Sequence, residues 1–474
     1  MHHLRRILVT SVLLVSGSAA SLLAQSPETL YGIAGQNEFG RSIASTQACG
    51  SGTIVVGTAK LDPPQDAIHV VRTHTGGGLS WEARYRVAGQ YLSSPSVVEA
   101  SDGSGFYIAG RHHDADHSPS VFLMKIDCTG RTAFANTYAA PGSFVASEAI
   151  IEARTGDAQQ GAMPGDVILA GTTGADQTFH IQGLILRISS SGALVFAHSY
   201  DYPDGSRNYT AFHALAEAGA AVGDIVAVGL QQETRVGWGQ GFVVRVDAAS
   251  GEVTRPDHCA TVLGPVRETE LFSVAELKNG PLAGDLVMGG IIQDSATTFL
   301  ARTAANPCVA RAQSRIGTAQ ELVATTGLRE VPAGFARPAG SLALTGSAFL
   351  SGADTAAFLL FADPGPLMPT LGYQYGPQGT APKAYASAMT IDDRITIVGG
   401  QGVTRHPNHP EQEIYRIDAG RDGQTGCERI WWPPARTETP QNTPVLLHVY
   451  KLSPTTQPLA VERTRLATGR AACR

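Results

Sequence analysis

Apolar residues come in short bursts along this chain. Runs of roughly five, such as Thr53-Ile54-Val55-Val56-Gly57, are bounded by glycine, aspartate, serine or proline, and no stretch shows helical periodicity. One burst recurs seven times and always ends in glycine: TIVVG (53–57), FYIAG (106–110), VILAG (167–171), IVAVG (225–229), LVMGG (286–290), LALTG (342–346) and ITIVG (395–399). The closing glycines lie 53 to 61 residues apart. A period of that size means one supersecondary unit copied along the chain.

The second copy shows the unit most clearly. An alternating strand at 96–100 meets a Ser101-Asp102-Gly103 turn, then comes the glycine-ended strand 106–110. A polar loop (111–120), a third strand (121–127), a Thr129-Gly130 turn and a fourth strand (132–138) complete it. Four short strands with tight turns make one antiparallel sheet that cannot bury both faces alone, so the copies must stack. The expectation is an all-β protein, a β-propeller of seven four-stranded blades with eight as the alternative. The segment 30–35 precedes the first full unit and is expected to complete the last blade and close the ring. Residues 25–435 are assigned to the propeller, with a Pro/Thr-rich linker at 431–444. Residues 436–474 are read as a C-terminal hairpin extension packed upon it.

Two columns run through the repeats. Third strands carry a cation at one position (Arg72, Lys125, Arg187, Arg245, Arg302, Arg416 and, in an extra copy, Lys451), broken by Phe361. First strands carry Glu99, Glu152, Glu217, Glu276 and Glu330, with Ser45 and Thr390 at the ends. Pairing of the two columns is the expected explanation of such repeated, partly buried charges; a cation-binding ring of carboxylates is the alternative. Asp127, Asp247 and Asp418 are read as turn-opening residues.

A glycine-ended second strand, a third strand such as Phe122-Leu123-Met124-Lys125-Ile126-Asp127, a glycine turn and a strand ending in tyrosine resemble the repeats of secreted bacterial β-propeller proteins. Kelch-like and quinoprotein-like propellers are more distant. The resemblance covers about residues 28–430. It implies the fold and carries over no catalytic residues, because proteins of this kind mostly lack an assigned activity. The usual aromatic of the fourth strand is Trp81 in the first copy but Phe134 and Phe196 in later ones.

Composition narrows the setting. Arg5-Arg6, the apolar run 7–15 and Leu22-Leu23-Ala24 have the form of a signal peptide over 1–24, so a secreted or periplasmic protein is expected. No other apolar stretch is long enough to span a bilayer. The formal charge of −6 becomes −8 without the two leader arginines, which argues against nucleic acid as a partner. An envelope or extracellular protein or glycan is the expected partner, and a monomer the expected state. Six cysteines, with no CxxC pair, suggest three disulfides. Sequential pairing (Cys49–Cys128, Cys259–Cys308, Cys427–Cys473) would staple neighbouring blades.

Histidines gather in the loops between second and third strands, which share one face, the upper one. His69 stands near Asp62 and Asp66. His112, His113 and His117 accompany Asp114 and Asp116. His180, Trp238 and the pair His406 and His409, near Glu411 and Glu413, lie in the same loop class. His69, His180, Trp238, His406 and His409 are the candidate ligand-binding residues. His112, His113, His117, Asp114 and Asp116 are the candidate ligands of a divalent metal, the one cofactor considered. Polar, solvated loops are the plainer reading, since no metal-motif spacing is present. GxSxG, HExxH and phosphate-loop motifs are absent. Two functions follow: a secreted, non-enzymatic module binding a glycan or protein on the upper face, or a metal-dependent hydrolase or lyase using the histidine-rich loops.

Overall fold

The computed structural model describes residues 28–32, 36–60, 66–113, 119–140, 142–175, 180–201, 209–218, 223–232, 239–253, 260–263, 269–293, 297–304, 309–317, 322–349, 355–375, 388–391, 394–403, 411–422, 424–425, 429–431, 435–438, 442–445, 448–451, 455–466 and 470–471. The signal-peptide segment 1–24 lies outside them, as do Cys259, Cys308, Cys427 and Cys473.

The chain is all-β, a propeller-like ring of sheets. Among the described residues there are 35 strands in six hydrogen-bonded sheets, five of five strands and one of ten. The ten-stranded sheet is two five-strand sets joined by one parallel pair, Ile181 with Tyr209. The expected count of seven or eight separate four-stranded sheets is therefore corrected: the hydrogen-bonded sheets number six, and the repeating set has five strands. The repeats are called sets 1 to 7 in chain order, set 1 beginning at Asn37–Thr46 and set 7 at Ala388–Ile391. The first strands touch one another in sequence, and that of set 7 touches that of set 1.

The fifth strands correct the sequence reading most. Among the described residues, the tail strands pair with the fourth strands of the sets rather than with one another, one strand to each set in turn. Arg429–Trp431 joins set 6, Ala435–Glu438 set 5, Asn442–Val445 set 4, His448–Lys451 set 3, Thr455–Pro458 set 2 and Glu462–Leu466 set 1. Arg470–Ala471 then pairs with the N-terminal strand Glu28–Tyr31, which itself lies beside Glu411–Ala419 of set 7. Both ends of the described chain thus meet in one sheet. The physical reason is that each fourth strand leaves a row of unpaired backbone groups, and an extended tail satisfies them.

Apolar cores lie between consecutive sheets. Phe106, Ile108 and Met124 of set 2 pack on Ile54, Val70 and Tyr85 of set 1, and the pattern continues to sets 6 and 7. The core between sets 7 and 1 is small: Tyr31, Ile43, Val55, Val71, Val398 and Ile414.

Where the described residues show their partners, the repeated charges meet other groups than each other. Arg187 donates to Asp166 at 2.9 Å, Arg245 to Asp224 at 2.7 Å and Arg302 to Asp285 at 2.5 Å. Each of these aspartates follows a glycine and opens the second strand of its own set. The glutamates instead reach across to the preceding set and cap the backbone of its first turn. Glu99 accepts from the N–H groups of Gln47 and Cys49, Glu152 from Ser101, Glu217 from Arg154 and Thr155, and Glu330 from Lys278 and Asn279. Turn donors would otherwise be unpaired, and a carboxylate accepting two of them is a strong, charge-assisted clip. Fourth-strand tyrosines clip the other way: Tyr85, Tyr138 and Tyr200 donate to the carbonyls of Gly130, Gly192 and Gly251 in the next set. Asp127 and Asp247 hold their turns as expected, whereas Asp418 accepts from Arg416 and Thr396.

The glutamate clips titrate in opposite directions. Burial would raise the Glu217 carboxyl, but hydrogen bonds from Thr155 and Arg154 hold it below its ordinary 4.5. Burial outweighs the bonds from Ser101 at Glu152 and raises it. A depressed carboxyl contributes stability that is complete above 4.5 and lost as pH falls through its folded value; a raised one contributes below 4.5 and loses this as pH rises. Glu217→Gln should therefore melt below the unmodified protein at pH 7, with the gap narrowing on acidification. Glu152→Gln should stand more favourably at pH 7 than at pH 4. Thermal unfolding of both variants across this range measures it, and parallel curves would refute it.

The disulfide Cys49–Cys128 is formed, joining set 1 to set 2 across 79 residues of sequence. Among the described residues, no helix is long and apolar enough to cross a membrane.

Candidate functional site

The glycine that ends each second strand has a specific cause. In sets 1 to 6 the first strand carries a β-bulge opposite it. The bulge drives a first-strand carbonyl against the glycine. An added Cβ would stand 2.3 Å from the Phe39 oxygen at Gly57, 1.9 Å from that of Ala146 at Gly171 and 1.8 Å from that of Ala211 at Gly229. Only a residue without a side chain fits.

The bulge also turns its extra residue out of the sheet, towards the axis of the ring. These residues are Arg41, Pro95, Glu148, His213, Phe272 and Thr326, and all six line one cavity of about 440 Å³. This central channel is the candidate site. Its size is that of an ordinary small-ligand pocket.

Its polar groups form two clusters. Glu148 is held between two guanidinium groups, Arg41 at 3.3 Å and Arg111. Burial lowers both arginines below their ordinary value, and at Arg111 the like charge of Arg41 adds to this. In the second cluster His213 Nε2 stands 2.9 Å from Glu270, which also accepts from Gln293 at 2.6 Å. The His213 ring lies 5.1 Å from that of Phe272. The wall thus offers an aromatic face, fixed hydrogen-bonding groups and the engaged carboxylate of Glu148, with Glu270 behind His213. A ligand with apolar faces and hydroxyl edges meets suitable partners there.

The histidines singled out from the sequence are elsewhere. His69, expected among the ligand-binding residues, is fully buried. It lies between Glu38 (3.2 Å) and Glu82 (2.7 Å), with Arg84 on Glu38. This quartet occupies the face of set 1 that packs on set 7, where the apolar core is smallest. At the place of His69 other sets carry Phe122, Phe242 or Phe299, beside the glycine. His69→Ala would leave two buried carboxylates without their shared partner, at a cost of about 3 kcal/mol. Equilibrium denaturation checks this; a variant as stable as the parent would show the quartet to be dispensable.

His112, expected as a metal ligand, has both ring nitrogens engaged, with Ser120 at 2.8 Å and Gln90 at 2.7 Å. His113 also has a partner. His180 faces Asp201 at 2.9 Å. Asp114, Asp116, His117, Trp238, His406 and His409 lie outside the described residues, within which no cluster suited to a metal occurs. The channel residues went unread in the sequence. The signal was present, since the glycine column marks the bulges, but the turn between bulge and glycine differs in length from repeat to repeat.

No protein family matches the sequence, and no curated protein is similar to it. Among solved structures, one similar chain is an exo-β-1,3-galactanase from Clostridium thermocellum, at 8% identity and a TM-score of 0.33, over 83% of this chain and 95% of that one. A likeness that slight bears on neither substrate nor mechanism.

Proposed function

We propose that the protein is an exported propeller-type binding module that takes a saccharide into its central channel. The cavity lined by one bulged residue from each of six successive sets carries this reading. Bulges disturb a ladder and recur where a side chain must be re-aimed, and here all six aim at the same space. The Phe272 and His213 rings suit the apolar face of a sugar, and Glu270, Glu148 and Arg41 its hydroxyls. The disulfide fits an oxidising compartment, consistent with a leader at 1–24. A scaffold role on the upper loops is the companion proposal.

The test is a glycan array probed with the mature chain, Phe272→Ala and His213→Ala, each first shown to be folded by thermal unfolding. Retention of a saccharide by the parent and its loss in both variants is expected. Retention unchanged in the variants, or no saccharide retained by the parent, would reject the channel as a sugar site.

A further inference from the structure

Among the described residues, Arg329 is a channel cation that no acid meets. It lies on the first strand of set 6, lines the cavity and is exposed there. No described carboxylate acts on its guanidinium. The other channel charges are matched: Arg41 and Arg111 share Glu148, and Glu270 faces His213 and Gln293. The neighbouring Glu330 is committed to the backbone of Lys278 and Asn279. At the corresponding place, before the column glutamate, sets 2 to 5 carry Val98, Ile151, Ala216 and Ala275. A cation on the cavity wall, where the repeat otherwise places an apolar residue, performs no packing task that the repeat requires.

We propose that Arg329 is an anion-binding residue of the channel, and that the saccharide it receives is acidic, its uronic-acid carboxylate seated on this guanidinium. The inference rests on the channel being a sugar site. A planar guanidinium matches a carboxylate with two parallel hydrogen bonds, which a hydroxyl cannot reproduce. A free oxyanion shares this chemistry, so the experiment separates the two sources.

Isothermal titration of the mature chain would use digalacturonate, the neutral digalactose and sodium sulfate, with Arg329→Gln and Arg329→Lys as variants. Digalacturonate should bind at least about tenfold more tightly than digalactose, the difference expected for hydrogen bonds to a charged group. Arg329→Gln should bring digalacturonate to the digalactose level, and Arg329→Lys should keep part of the preference. Because Arg329 supports no described neighbour, both variants should unfold at the parent temperature. Equal binding of the two sugars, or a preference that survives Arg329→Gln, would overturn the anion site while leaving the channel as a sugar site. Binding of neither sugar would remove both. Sulfate binding as tightly as digalacturonate, and only with Arg329 present, would overturn the uronate assignment in favour of a free oxyanion.

Discussion

A chain ending at residue 428 should not accumulate as a soluble monomer. The outer strands at 429–471 supply the pairing for the fourth strand of every set. Without them each sheet presents a bare edge, and bare edges template association with other chains. Among the described residues the deletion takes only Leu459 and Val461 from the margin of an inter-sheet core, that between sets 1 and 2, so collapse into sheets should persist while assembly goes wrong. Size exclusion should show oligomers or aggregate in place of the parent peak, and thermal unfolding should lose its single sharp transition. A truncated chain that elutes as a monomer and melts within a few degrees of the parent would show the rim strands to be an accessory.

Gly229→Ala should be among the costliest single methyl additions in the molecule. The new Cβ would stand 1.8 Å from the Ala211 carbonyl oxygen, and its next contacts are also backbone. Relief requires separating the first and second strands of set 4 at the bulge, so the loss is expected at about 4 kcal/mol or more. Gly142→Ala is the control. It has φ +71° with nothing within 4 Å, and should cost about 1–2 kcal/mol for the left-handed backbone alone. Equal costs in chemical denaturation would mean that the strand gives way easily and that the glycine column has another origin. His213 is the bulged residue beside this contact, so a folded Gly229→Ala chain should also show a disturbed channel.

The repeat was legible because strand length, turn residues and the closing glycine are local properties. The tail was not, because its fifth strands are short, irregularly spaced and defined only by the edges they cover. The paired look of Val445 to Leu466 suggested a hairpin, whereas His448–Lys451 and Thr455–Pro458 serve different sets. The glutamate column was visible and its role was misread. A residue-to-residue ion pair is the simpler guess from sequence, but Glu217 satisfies backbone donors of another set 63 residues away. The true partners of the cations, Asp166, Asp224 and Asp285, sit in plain Gly-Asp steps before the second strands. Histidine was weighted as a sign of chemistry, and His69 and His112 turned out to be held inside hydrogen-bond networks. Arg41, Glu148 and His213 carry no sequence mark of their own, since what brings them together is a backbone irregularity.

The rim segment also acts as a ruler. Its strands are laid down in reverse order of the repeats, one for each, and its last residues meet the strand that begins the described chain. Duplicating or losing a single repeat would shift every later contact by one station and leave the tail too short or too long. Repeats in this chain can therefore diverge one by one in their linings, as Arg329 and His69 have, while their number is held by a stretch that gives each of them its outer strand. Evolution by copying, which built the array, would have been arrested once that stretch was in place.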